Sequence, residues 1–168
     1  MIEDTPVGPL VAAASENGIV YMSFCELKDF HGLISNVRNF VGGKSLIYVQ
    51  DAIHQVQEYF NRQRRVFDLP LDLSGLSEFR SRVLREAQRI PYGKVTSYGE
   101  LAQRIGQPQA GRAVGGALAH NPIVLVIPCH RVIDSSGQMH GFSSPGGINT
   151  KADLLRLEGC HVENGRLV

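Results

Sequence analysis

Along the first half of the chain the spacing of apolar positions changes period more than once. Leu10 to Ser15 and Ile19 to Phe24 are apolar runs joined by Glu16-Asn17-Gly18, and an Asn-Gly pair between two such runs is the strongest short-range hairpin signal. Phe30, Leu33, Ile34, Val37, Phe40 and Val41 then recur at helical spacing until Gly42-Gly43 stops them. A second helical stretch runs through Ile53, Val56, Tyr59 and Phe60. Phe67, Leu69, Leu71 and Leu73 alternate as an edge or hairpin strand does, and Pro70, which has no N–H to give a ladder, favours the edge. No catalytic constellation falls in this half, which reads as an α/β scaffold.

The second half has a different rhythm. Phe79, Val83, Leu84, Ala87 and Ile90 form a helical face that ends at Pro91-Tyr92-Gly93. Ser97 with Glu100 matches a capping box opening a short helix from Tyr98 to Ile105, closed by Gly106. After Gln107-Pro108, a further helix is expected from about Gln109 to Ala119, stopped by Asn121-Pro122. Two short helices around a tight turn suggest a helix-turn-helix. The apolar run Ile123 to Ile127 reads as a buried strand, followed by an extended segment, a turn at Ser135-Ser136-Gly137 and a last helix from Asn149 to Glu158. The boundary between halves is expected near Leu73 to Ser77, giving domains 1–74 and 75–168.

Composition changes this picture in one respect. With 17 Lys+Arg against 16 Asp+Glu among 168 residues, the formal net charge is +1. That excludes binding of nucleic acid through a large basic surface. The acidic, Pro-broken start is not a secretory signal, and no run of apolar residues is long enough to span a bilayer. Three widely spaced cysteines, Cys25, Cys129 and Cys160, suit a cytoplasmic chain with a reactive thiol better than a disulfide framework or a zinc finger.

Chemistry concentrates after residue 90. The second helix of the helix-turn-helix is mostly Ala and Gly, with one long cation, Arg112. Close packing inside a core is the plainer reading of such a helix; a bare surface that enters a narrow groove is the alternative. Ile127-Pro128-Cys129-His130-Arg131-Val132-Ile133 is sharper. A thiol with an ordinary pKa near ~8.5 needs a base or a positive setting to attack well at neutral pH. His130 is adjacent, but neighbours on an extended chain face opposite ways, so it reaches Cys129 only through a bend or a water. Glu158, ending the last helix, is a candidate to orient the imidazole.

Pro128-Cys129-His130-Arg131-Val132 resembles the active-site motif of the O6-alkylguanine-DNA alkyltransferases, the methylated-DNA–protein-cysteine methyltransferases. The resemblance extends to Ile90-Pro91-Tyr92-Gly93-Lys94-Val95 with Ser97-Tyr98, to Arg112-Ala113-Val114-Gly115, to Asn121-Pro122, and to Lys151, Leu154-Leu155 and Glu158. In the first half it is carried only by Thr5-Pro6-Val7-Gly8-Pro9-Leu10. It implies an amino-terminal ribonuclease H-like α/β domain followed by a mainly helical winged helix-turn-helix domain. It also implies DNA repair by irreversible, stoichiometric transfer of an alkyl group, mainly methyl, from O6 of guanine, and from O4 of thymine, to Cys129.

By the same resemblance, His130 acts through a water as the base, Glu158 fixes its tautomer, and Asn121 braces the turn carrying the cysteine. Tyr98 helps rotate the target phosphate and donates to the guanine ring. Arg112 fills the gap left by the flipped base, on a DNA-facing helix surface that includes Ala110, Ala113 and Gly115. Val132, Phe142 and Ser143 line the base pocket, and Lys151 supports its loop. The implied partner is double-stranded DNA containing O6-alkylguanine, bound through the minor groove by a monomer, with no cofactor, metal or membrane. Ser143-Ser144-Pro145 is longer than the family's usual connection, Phe142 stands where Tyr is common, Gly111 replaces a common Ala, and there is no Trp near Leu84.

Other classes fit less well. A sequence-specific helix-turn-helix regulator would need base-reading side chains on the second helix. A thiol hydrolase places its base far from the cysteine in sequence. An alkyltransferase-like lesion binder without repair chemistry lacks the nucleophilic thiol.

Overall fold

The computed structural model describes Ile2, residues 5–25 and residues 43–168. The chain divides into two compact units, Met1–Ser74 and Gly75–Val168. The helix expected over Phe30 to Val41 lies outside the described residues.

In the first unit, β1 (Leu10–Ser15) and β2 (Gly18–Phe24) form the expected antiparallel hairpin, with a register irregularity at Ala13/Ala14. Gly18 does more than close the turn. Its φ is 149°, and a Cβ there would lie 2.5 Å from the Pro70 carbonyl oxygen. The bare backbone lets residues 70–72 approach the hairpin, where Ile19 N–H donates to Pro70 O at 2.8 Å and Asp72 N–H to Ile19 O at 2.9 Å. Helix α1 (Lys44–Phe60) packs on the hairpin through Ala52, Val56 and Tyr59, all fully buried.

The strand expected over Phe67 to Leu73 does not form. Its alternating burial is present, with Leu69 and Leu73 inside, but its only ladder contact among the described residues is the parallel bridge Leu71–Ile19. The remaining backbone groups are used elsewhere. Buried Gln55 brackets Asp68 with two 2.8 Å bonds to its N–H and carbonyl, Pro70 has no N–H, and Asp72 turns its carboxylate to Ser15 and Ser74.

The second unit is mainly helical. Helix α2 (Glu78–Gln88) is N-capped by Ser77 and buries Val83, Leu84 and Ala87. Strand β3 (Thr96–Ser97) leads into α3 (Tyr98–Arg104) through the expected capping box, with Ser97 and Glu100 bonding reciprocally at 3.1 and 2.8 Å. Helix α4 (Gly111–Ala119) starts two residues later than expected, because Gln107 to Ala110 form a turn closed by Ala110 N–H to Gln107 O.

The run Ile123 to Ile127 is buried as expected, but no strand forms: Ile123 makes only an isolated bridge and residues 124–126 are a turn. Leu125 has φ 69°, and Ile127 N–H returns to Ile123 O at 3.0 Å. Asn121 supplies what a neighbouring strand would have supplied: its Oδ1 accepts from Ile123 N–H at 3.0 Å, and its Nδ2 donates to Ile127 O at 2.8 Å. A single 3₁₀ turn, Cys129–Arg131, follows and runs into β4 (Val132–Ile133), which pairs in parallel with β3. That short pairing places Tyr98, the first residue of α3, beside the segment that carries Cys129.

Helix α5 (Ile148–Leu157) and the hairpin β5 (Val162–Glu163) and β6 (Arg166–Leu167) complete the unit. Asn164-Gly165 turns that hairpin with both φ values positive, 49° and 74°. Ile133, Met139, Ala152, Leu155 and Val162 form one buried cluster beneath it.

Candidate active site

Cys129 does not sit at the end of a strand. The 3₁₀ turn bends the backbone, which removes the objection that Cys129 and His130 face opposite ways on an extended chain. The cysteine is 8% exposed, and Asn121 Nδ2 donates to its Sγ at 3.2 Å. One amide therefore braces the turn and also touches the thiol. Burial pushes the Cys129 pKa up, opposed by the Asn121 hydrogen bond and by the nearby charge of Lys151.

His130 is fully buried, and its Nε2 bonds to Glu158 Oε1 at 2.8 Å. A carboxylate only accepts, so Nε2 carries the proton and Nδ1 is left with its lone pair. Nδ1 has no hydrogen-bond partner among the described residues. Burial pulls the His130 pKa down, opposed by the Glu158 hydrogen bond and charge, so the imidazole is neutral at pH 7.

Glu158, the C-cap of α5, is the hub of the site. Besides His130, it accepts from Arg131 Nε at 2.9 Å and Nη2 at 2.8 Å, and from Gly93 N–H at 3.1 Å. Burial alone would raise its pKa, but hydrogen bonds and charges from His130 and Arg131 outweigh that and hold the carboxyl well below the usual range. Arg131 also donates to Ile90 O at 2.6 Å. Gly93 has φ 69°, and a Cβ on it would lie 2.8 Å from Glu158 O, so the turn after α2 can close on the carboxylate only with glycine.

Sequence reasoning named Glu158 and His130 but gave no role to Arg131 or Gly93. Arg131 lay inside the quoted heptapeptide, and a buried arginine next to a site histidine requires an acidic partner. That was the available signal.

Tyr98, Gly115, Cys129, Phe142, Ser143 and Lys151 share the wall of one cavity of about 30 Å³. That is room for about one water molecule. Ser143 Oγ donates to Ala119 O, tying the loop after Met139 to the end of α4. Lys151, 1% exposed, donates through Nζ to Val132 O at 2.6 Å and lies 6.0 Å from the Tyr98 ring centre. Burial lowers its pKa to about 8, against the opposing charge of Cys129. The Tyr98 pKa is raised by burial, then by the charges of Cys129 and Asp134.

Three of the expected DNA-facing positions stand apart from the cavity. Arg112 and Ala113 are on the exposed side of α4, and half-buried Ala110 is its N-cap. Arg112 has no hydrogen bond or ion pair among the described residues. The buried side of α4 is Val114, Ala117 and Leu118, so close core packing does not explain Ala113 or Gly116, which are exposed. Among the described residues, no group of three or more His, Cys, Asp or Glu side chains could hold a metal ion, and no helix is long and apolar enough to cross a membrane.

Comparison with known proteins agrees over most of the chain. Residues 78–160 match the family model described as 6-O-methylguanine DNA methyltransferase, DNA binding domain, and residues 2–73 match its ribonuclease-like domain. A methylated-DNA–protein-cysteine methyltransferase of Mycolicibacterium paratuberculosis is 42% identical over 94% of this chain and 90% of its own length. One from Methanosarcina acetivorans is 37% identical, covering 94% and 96%. The crystal structure of Mycobacterium tuberculosis OGT in complex with DNA aligns with TM-score 0.76 at 39% identity, covering 92% of this chain and 89% of that one. The chain belongs to the 6-O-methylguanine DNA methyltransferase family, with a ribonuclease-like unit followed by a DNA-binding-type unit.

Proposed function

We propose that the protein repairs alkylated DNA by direct transfer, moving one alkyl group from O6 of a flipped-out guanine to Cys129 Sγ. O4 of thymine offers the same chemistry. The target is double-stranded DNA carrying O6-alkylguanine, approached through the minor groove by a monomer acting in the cytoplasm. The observation that carries this reading is the thiol of Cys129 on a cavity wall, backed by the buried His130–Glu158 pair.

The cavity must widen before a base can enter, because about 30 Å³ does not hold one. Extruding the nucleotide costs a few kcal/mol. Arg112, long and unpaired on a small-residue surface, takes the vacated place in the stack. Exposed Gly116 supports a close approach, since a Cβ there would meet nothing within 4 Å and glycine gains the protein no internal contact.

In the chemical step the thiol proton leaves toward His130 Nδ1 through a bridging water, and the sulfur attacks the alkyl carbon. The carbon–O6 bond breaks as the carbon–sulfur bond forms, and the electron pair stays on the base. A proton returned through the Tyr98 hydroxyl leaves neutral guanine, so the thiol proton ends on the base. Lys151 offsets charge on the sulfur while it is a thiolate. The product is a thioether that no group in the site can expel, so each molecule reacts once.

The test is Cys129→Ser, which keeps the cavity and removes the soft nucleophile. Retained binding to duplex carrying O6-methylguanine with no loss of the methyl group is the expected result. Demethylation by this variant would refute the assignment.

A further inference from the structure

The second unit carries a groove away from Cys129 that the proposed chemistry does not use. It has a volume of about 470 Å³ and lies between the carboxyl-terminal parts of α2 and α3, walled by Arg82, Arg85, Glu86, Arg89 and Arg104. Four guanidinium groups thus meet one carboxylate in a chain whose net charge is only +1. Two of the arginines have internal duties. Arg82 donates to Ile105 O, the C-cap carbonyl of α3, and Arg89 pairs with Glu86 at 2.9 Å. Compensation of helix dipoles accounts for these.

Arg85 and Arg104 also stand in the last turns of α2 and α3, where a cation suits the dipole, but that role leaves their guanidinium groups without a partner side chain. Both are exposed, both line the groove, and neither has a hydrogen bond or ion pair among the described residues, Arg104 meeting only the more distant charge of Glu100 on its own helix. Like charges gathered on one concave surface repel unless an anion sits among them, and the planar guanidinium fork matches phosphate oxygens. Position identifies the anion's source. Gly106, also on the groove wall, is the first residue of the turn that leads through Gln107 to Ala110 into α4.

We infer that this arginine groove is a phosphate-contact site for the duplex held at α4, gripping the sugar–phosphate backbone through Arg85 and Arg104. It rests on the DNA-repair reading above and adds an electrostatic anchor separate from the flipping helix. It also reconciles a near-neutral chain with DNA binding, because the positive charge is concentrated where one strand passes.

The full chain, with Arg85 and Arg104 both changed to Ala, is titrated against duplex bearing one O6-methylguanine over a range of salt concentrations. Each lost phosphate contact removes about 0.9 from the slope of log K against log salt. The double variant is expected to have a slope shallower by about 1.8, while methyl transfer from the free base O6-methylguanine, which has no phosphate, keeps the wild-type rate. Changing both arginines to Lys should retain the slope, because charge is what is read. Arg104→Glu, a single change at an exposed position, supplies the same readout if the double variant folds poorly. An unchanged slope overturns the groove assignment. A wild-type protein that takes no methyl group from either substrate overturns the repair reading instead.

Discussion

Glu158→Gln isolates the buried carboxylate on which the site is built. In the wild type, the bonds that Glu158 accepts include two from Arg131 and one each from His130 and Gly93. The Glu158 and Arg131 side chains are 0% and 6% exposed, so solvent does little to screen the pair. Glutamine keeps the shape but turns an amide NH₂ toward one of the donors and leaves the guanidinium uncompensated. Removing one partner of such a buried pair costs about 3–5 kcal/mol. At about 2–4 °C per kcal/mol for a chain of this size, Tm should fall by about 6–20 °C.

Arg131→Met should cost a similar amount by stranding the carboxylate. The double variant strands neither charge, so its loss should fall short of the sum by about 1–3 kcal/mol. Urea unfolding of the four proteins at pH 7 measures the cycle. The Glu158 pKa is depressed in the folded state, so its stabilisation is present at neutral pH and fades as pH drops below the ordinary value of 4.5. The gap between wild type and Glu158→Gln should narrow only in that acid range. A loss under about 1 kcal/mol, or additivity within about 0.5 kcal/mol, refutes the reasoning.

Other outcomes follow from the same geometry. Burial keeps His130 neutral below its ordinary value of 6.5, so the acid limb of the transfer rate from the free base should lie below that pH; a limb at or above it contradicts a buried neutral base. Gly116→Ala should raise stability by about 0.5–1 kcal/mol, because its Cβ meets nothing, yet weaken duplex binding; unchanged affinity would remove that side of α4 from the interface. Arg112→Ala should slow transfer from duplex at least tenfold and leave transfer from the free base unchanged, a comparison made by single-turnover kinetics; equal rates on duplex would end its role in flipping.

Local signals were the most legible in the sequence. The capping box at Ser97 and Glu100, the first hairpin and the helical faces of α1 and α2 depend on neighbours within a few residues, and all are present. Ile123 to Ile127 reads as a strand in the sequence because a buried strand and a buried turn have the same composition. The difference lies in Leu125 at φ 69° and in where Asn121 sends its amide. The stretch Phe67 to Leu73 has the burial of a strand without the pairing, because Gln55 takes the backbone groups a ladder would use. The β5–β6 hairpin went unread although Asn164-Gly165 marked it. At the site, Cys129 and His130 stand out by type and adjacency. The bond from His130 to Glu158 spans 28 residues, and no local pattern encodes it; the need of a site histidine for an orienting group makes Glu158 a candidate, and resemblance to a family points there too. Arg131 was overlooked because its role depends on that distant carboxylate.

Intact-mass measurement after incubation with excess duplex containing O6-methylguanine decides whether Cys129 is a single-use alkyl acceptor. The protein should gain one methyl group and no more, located on Cys129, with an equal amount of guanine restored in the DNA. Repair beyond one equivalent, or a gain on any residue other than Cys129, would contradict it.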